Sequence, residues 1–545
     1  MPNDNLSRPS AGADLTPPPQ PPVPPGSPPP PADQSPPLPD SPPAESPLTP
    51  STPQDSPSSP PTNTPEPLFP ITTPESDQPD TEKSSGGLGT PPVEPPVPPP
   101  PEAGDPAQPR EIVDPIFKRI LPFAIGIAAI ILLFLLITKI ILPIFKKEEV
   151  PDIVNLKYWG LWEPENIVSQ VIDDYQQDYP NVSIEYVKQS PKDYRERLQS
   201  ALAQNTGPDI FRWHNTWLPM LKNDLAPIPD EIYPPAEFDT TFYPIVKQNV
   251  FSANKYYGIP LEFDALALYV NEDILASSPS LKVPTTWDNL RQTAKKLTQT
   301  TNNQITRGGI AMGTTSNVDH FSDILGLMIL QNGGTPSTPD SDTVTSAIKF
   351  YTLFSKTDKS WDSTLPASTH AFATEKVAMM LAPSWRAIEI KAINPQLNFK
   401  LYPVPQLPGT NISWATYWIE GVSKKSENQT AAFEFLKYLS SAETMQKMYT
   451  LASQVRLFGE PYSRQDLVSN LQQDPFVGAI LSQALSAQSY PLVSKTYDNG
   501  LNDKLIKYYE DAVNSHLKQE AEKNITTNLS SGVAQVLSQY GLSSQ

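Results

Sequence analysis

The chain has no cysteine among its 545 residues. That excludes disulfides, thiolate metal sites, thiol nucleophiles and a lipid-modified N-terminal cysteine. Attachment to a membrane would therefore have to come from an apolar segment of the chain itself. Histidine is scarce: the four, His214, His320, His370 and His516, show no spacing of a helical zinc pair. No Gly-x-Ser-x-Gly elbow occurs. The glycines of "GGIAMGTT" (308–315) lack the lysine of a phosphate loop and read as strand and turn. These absences leave no metal, no cofactor and no catalytic constellation to expect. Lys and Arg number 40 against 59 Asp and Glu, a formal charge of −19.

What is present is unevenly spread. Residues 1–115 hold 40 of the 67 prolines, with 16 acidic against 3 basic residues, in runs such as "PPPQPPVPPGSPPPP". Such a segment cannot bury enough apolar surface to offset its ordering entropy, and proline favours an extended conformation. A disordered acidic tail is expected there, and its charge argues against nucleic acid as a partner. From Ile120 to Thr138 the chain reads "ILPFAIGIAAIILLFLLIT", continued after Lys139 by "IILPIF". Roughly 20 apolar residues cross a bilayer core, and this run lies too far from Met1 for a secretory signal. Residues 116–147 are expected to be an uncleaved transmembrane helix with its flanks. Arg110, Lys118 and Arg119 on one side and Lys139, Lys146 and Lys147 on the other leave its orientation undecided by charge.

Residues 151–545 alternate strand and helix patterns. "VNLKYW" and "VSIEYV" read as strands, "PENIVSQVIDDYQQDY" has apolar residues at helical spacing, and "SPKDYRERLQSALAQN" opens with a helix-start signature. "GPDIFRW" is a third strand. This β-α-β-α-β order predicts an α/β fold with a parallel, doubly wound sheet, whose ligands bind at the carboxyl ends of the strands. Trp159, Trp162 and Glu163 follow the first strand there, and Trp213, His214, Asn215 and Trp217 follow the third. Two loops thus bring aromatic rings and polar groups to one sheet edge.

The stretch "IDDYQQDYPNVSIEYVKQSPKDYRERLQSALAQNTGPDIF" resembles the start of family 1 extracellular solute-binding proteins of ATP-binding-cassette importers, the maltose-binding-protein-like group. The likeness continues through "KYYGIPLEFDALALYVNEDIL", "PTTWDNLRQTAKKL", "FATEKVAMMLAPSW" and "YPVPQLPG" to "GVSKKSENQTAAFEFLKYLSSAETMQKMY". It covers most of residues 153–460, in the family's order. The resemblance implies a periplasmic-binding-protein-like domain over 151–545, with two α/β lobes joined by hinge crossovers. Lobe I would be about 151–262 plus a later segment, and lobe II about 268–412 plus the C-terminal helices. The crossovers would lie near Glu262–Ala267 and Ser413–Gly421. The family's usual glycine-rich second crossover is here Trp-Ala-Thr-Tyr-Trp, which leaves the hinge amplitude open.

The same resemblance implies a monomer outside the cytoplasm, with the tail inside, delivering a solute to permease subunits. Sugar faces stack on flat aromatic rings, and their hydroxyls need carboxylates and amides, so a carbohydrate is the expected solute. By position in the family's motifs, the contact residues would be Trp162, Glu163, Trp213, His214, Asn215, Asp264, Trp385, Trp414 and Tyr417. Trp385 is open between ligand contact and packing, Asp264 between ligand contact and backbone capping, and the register between Trp213 and His214 is open too. At least one aromatic of the second crossover would pack between lobes, and Trp287, after a helix-start threonine, reads as core. Two other readings stand beside import: a membrane-anchored glycoside hydrolase, whose paired acids sequence cannot measure, and a sugar receptor or adhesin uncoupled from transport.

Overall fold

The structure, a computed structural model, describes residues 117–141 and 153–542. The tail expected over 1–115 lies outside these residues, as do the ends of the expected membrane segment. Helix α1 (Phe117–Leu136) carries Pro122 near its start and runs into a π-turn, Ile137–Ile141. Its side chains from Phe123 to Leu136 include exposed Phe, Ile and Leu throughout. Lys118 and Arg119 stand in its first turn, so its uncharged stretch begins only at Ile120. No helix among the described residues is by itself long and apolar enough to cross a membrane.

The alternation read from the sequence forms a parallel sheet. Strands β1 (Val154–Gly160), β2 (Val182–Lys188) and β3 (Ile210–His214) are linked through α2 (Glu165–Asp178) and α3 (Tyr194–Ala203). β1 pairs in parallel with β2 on one side and β3 on the other. Helix α2 buries Ile167, Val168, Val171, Ile172 and Tyr175, the i, i+4, i+8 face that covers the sheet.

A second sheet has β4 (Leu266–Asn271) between β5 (Met379–Pro383) and β6 (Phe399–Tyr402), both antiparallel to it. Every residue of β4 and β5 is buried, as continuous apolar runs covered on both faces require. The chain then returns to the first sheet. After β7 (Ser413–Trp414), strand β8 (Trp418–Val422) joins β3 antiparallel, with Trp418 opposite His214. The connections between sheets run side by side: Ile259 bridges Glu420, and Ala265 bridges Ala415. A third stretch joins them, since the Phe263 N–H donates to the Pro461 carbonyl at 2.9 Å and Ser463 Oγ to the Pro260 carbonyl at 2.7 Å.

Local chemistry fixes several elements. Thr286 caps the helix Trp287–Leu297, its hydroxyl accepting from the Asn289 N–H. Trp287 is buried in the second sheet's surround, where its Nε1–H donates to Gln331 Oε1 at 2.6 Å. Gly160, between the two tryptophans of "WGLW", admits the Tyr186 ring where a Cβ would overlap it.

Candidate functional site

A cavity of about 500 Å³ opens beside the paired connections. Aromatic rings line it from both sheets. Trp162, just past β1, meets Trp418 edge to face with centroids 5.6 Å apart. Trp418 is braced by His214 at 5.1 Å and Trp217 at 5.3 Å. Trp385, just past β5, faces the same space. The Arg386 guanidinium lies 4.1 Å over its ring and His320 stands 5.7 Å away at its edge, yet Trp385 stays 39 % exposed. A half-open indole backed by a cation is a ready stacking surface.

Asp264 lies in the cavity wall on the first connection. Its carboxylate accepts from Ser384 Oγ at 2.9 Å and from the backbone N–H of Ala265 at 2.7 Å and Ser384 at 3.0 Å. Burial nevertheless pushes its pKa up to about 7, outweighing these donors. Burial also holds His214 neutral, its pKa lowered to about 3. Its Nδ1 takes up Thr216 Oγ at 2.9 Å and its Nε2 faces Thr416 Oγ at 3.2 Å. A neutral imidazole and a carboxyl that titrates near neutrality suit hydroxyl partners better than a charged ligand end.

Behind them lies an ionic network. Arg212 is buried and pairs with Glu163 and Glu420, each at 2.6 Å. Burial would lower its pKa, but those two carboxylates outweigh this and raise it. Tyr158 Oη donates to Glu420 at 2.8 Å. Glu262 and Glu460 line the cavity. Burial, then Glu460, raises Glu262 well above the usual range. Burial works the same way on Glu460, but Arg456, at 2.6 Å, and the bond from Glu262 outweigh it. Carboxylate oxygens of Glu163, Glu262 and Glu460 come within 4.8 Å of one another; Arg212 pairs with Glu163, Arg456 with Glu460, and the Trp418 N–H donates to Glu262.

Of the nine contact residues expected from sequence, the structure brings Trp162, His214, Asp264 and Trp385 to the cavity wall. It places the other five elsewhere. Glu163 turns inward to Arg212. Trp213 is fully buried, its ring against Gly258 and Gly421, because adjacent strand residues face opposite ways and His214 takes the cavity side. Asn215 ties loops together through Asn249 and Ser489. Trp414 is buried over Gly326, its Nε1–H donating to Asp323 at 3.1 Å. Tyr417 is buried and donates to Asn249 at 2.7 Å. Sequence reasoning did not select Trp418, His320, Arg456, Glu460, Lys495 or Tyr497, which all line the cavity. Only Trp418 stood in a stretch already singled out.

Residues 170–456, more than half the chain, match the model of the bacterial extracellular solute-binding protein family. The chain belongs to that family. This solute-binding protein is 23 % identical over 140 residues to the maltotriose-binding protein of Pyrococcus abyssi, a stretch that is 25 % of this chain and 29 % of that one. Its fold matches an ABC-transporter solute-binding protein of Thermotoga lettingae solved with α-D-tagatose, with TM-score 0.55 and 22 % identity, over 70 % of this chain and all of that one. It also matches the sugar-binding protein MalE of Xanthomonas citri, with TM-score 0.59 and 17 % identity, over 71 % and 98 % of the two chains. At these identities the likeness is one of fold: the two-sheet α/β architecture of binding proteins.

The raised pKa of Asp264 gives the solute-binding protein a pH signature. Folding holds its proton more tightly than the unfolded chain, whose carboxyl titrates near 3.8. Its contribution to stability is therefore full below that value and is lost as pH rises through about 7. Glu262 and Glu420, both raised chiefly by burial, act in the same direction. His214 and His320, whose pKa values burial lowers, act in the opposite direction, so the signature is a difference: the melting temperature of wild type minus that of Asp264→Asn should fall as pH rises from 4 to 8. A difference that does not change with pH would place Asp264's proton elsewhere.

Proposed function

We propose that this chain is a membrane-anchored extracytoplasmic binding protein that captures a sugar or oligosaccharide in the cavity and delivers it to an ATP-binding-cassette importer. The observation that carries the reading is the cavity's composition: indole surfaces from both sheets, Trp162 with Trp418 and Trp385, around hydroxyl partners Asp264, His214 and Glu262. Sugar C–H faces and hydroxyls need that combination. The sugars in the names of the relatives support it. Two lobes, divided at the paired connections, would close over the ligand by hinge motion.

Binding without turnover is the matching reading of the acids. Each cavity carboxyl is engaged by a protein group: Asp264 by Ser384 and backbone donors, Glu460 by Arg456, Glu389 by Arg386, and Glu262 by the Trp418 N–H at 3.1 Å. A thermal-shift screen of mono- and oligosaccharides tests the function. A ligand that binds only the native state stabilises it by about 2.7 kcal/mol at 100 times its Kd, and so raises the melting temperature. Release of sugar from any glycan in that screen, abolished by Asp264→Asn, would favour a hydrolase instead.

The anchor is α1 with the π-turn, Phe117–Ile141, and the sequence's apolar run from Ile120 reaches the roughly 20 residues of a span. The binding domain lies outside and the proline-rich tail in the cytoplasm. Protease added to intact cells should remove residues beyond 151 and spare the tail; loss of the tail instead would reverse the orientation.

A further inference from the structure

The segment Ser494–Gly500 lines the cavity with Ser494, Lys495 and Tyr497. Its residues alternate. Thr496 and Asp498 are buried, while Lys495, Tyr497 and Asn499 are exposed. The three exposed residues all adopt left-handed backbone conformations, with φ of 62°, 52° and 44°. Non-glycine residues are held there only against a steric cost, so the surroundings must fix them.

The fixing groups come from both sides of the cavity. Ser494 Oγ bonds His320 Nδ1 at 2.8 Å, and its N–H donates to Asp323 at 3.1 Å. The Asp498 carboxylate accepts from the N–H groups of Gly500 and Asn502, both at 2.9 Å, and the Asp498 carbonyl accepts from Arg195. Asn499 reaches Asp193 and Glu196, each at 3.2 Å, and Asn502 donates to Thr216 at 2.7 Å. The loop is pinned at its ends and through the inward Asp498. What it presents to the cavity is one ammonium group and one phenol ring, Tyr497 remaining 45 % exposed.

Charge pairing on the cavity wall singles out that ammonium. Arg456 is paired with Glu460, and Arg386, behind Trp385, with Glu389. The wall's carboxyls are met by those guanidinium groups, by Ser384 with backbone donors, or, for Glu262, by the Trp418 N–H. Lys495 has no ion pair or hydrogen bond of its side chain among the described residues.

We propose that Lys495 and Tyr497 form an outer subsite that takes an acidic sugar unit, Tyr497 stacking on its face and Lys495 pairing with its carboxylate. The inference rests on the sugar-binding reading and narrows its ligand to oligosaccharides carrying a uronate. The phenol supplies the C–H stacking surface, and an ammonium on an exposed rim is a charge-assisted donor without a competing acid.

The test is calorimetric titration of the full chain in detergent with uronate trisaccharides (galacturonate, mannuronate and glucuronate), with their methyl esters, and with maltotriose. At least one uronate should bind about tenfold or more tightly than its methyl ester, the scale of a charge-assisted bond. That preference should shrink with added salt and vanish in Lys495→Gln. Tyr497→Ala should weaken acid and ester alike. Binding of maltotriose or the esters with no acid preference, or a preference untouched by Lys495→Gln, overturns the subsite and leaves the sugar reading standing. Binding of none of these glycans overturns the subsite, and the sugar reading then falls only if the wider screen is also negative.

Discussion

Arg212→Ala should leave little folded binding domain. Arg212 is 1 % exposed and holds two carboxylates, Glu163 and Glu420, that are 4 % and 0 % exposed. Its bonds run to Glu163 from β1's end and to Glu420 on β8, while it stands itself on β3. It therefore ties three neighbouring chain segments of the first sheet together at the point where the connections leave it. Removing one partner of a buried pair strands the other charge without solvent, and costs about 3–5 kcal/mol. Here two carboxylates would be stranded, against a total stability of roughly 5–15 kcal/mol for a typical domain. Raising the proton concentration should partly rescue the variant, because burial already raises the Glu420 pKa and protonation would neutralise it. Urea melts of wild type and variant at pH 7 and pH 5 measure both effects. A variant as stable as wild type at pH 7 would show that water reaches these carboxylates and that the network is not sealed.

Trp385→Ala should weaken ligand binding by about 2 kcal/mol or more, the size of a hot-spot truncation. The same change should lower the stability of the free protein by much less than the roughly 3–5 kcal/mol typical of a core aromatic. The reason is position. Trp385 begins the helix Arg386–Ile393 and is 39 % exposed, backed by Arg386 but open to the cavity. Trp287→Ala should show the reverse, a large stability loss with nearly unchanged affinity in whatever folds, because Trp287 is 2 % exposed and bonded to Gln331. Calorimetric titration beside urea melts of both variants separates the two roles. Unfolding by Trp385→Ala with intact binding per folded molecule would make Trp385 a core residue.

The first sheet was legible because its pattern is local: helix α2's buried face and the alternating strands β1 and β2 are each written within a few turns of chain. The second sheet was not drawn from sequence, since its strands β4, β5 and β6 are buried, discontinuous and paired across more than a hundred residues. At the site, the choice of loops was legible and the choice of side chains only in part. His214 rather than Trp213, and Trp418 rather than Tyr417, face the cavity; a shift of one residue along a strand exchanges the two faces. Glu163 follows Trp162 directly, yet its partner Arg212 is 49 residues away, and nothing in "LWEP" announces it. Glu460, Lys495 and Tyr497 come from stretches without periodicity, brought in by the third connection and the C-terminal loop.

Whether the cavity between the two sheets binds a sugar is decided by isothermal titration of the full chain with the carbohydrates of the thermal-shift screen. At least one of them should bind saturably and one to one, with a negative heat-capacity change as the indole surfaces of Trp162, Trp385 and Trp418 are covered. Absence of saturable heat with every carbohydrate in the screen, from a protein shown to be folded, would contradict it.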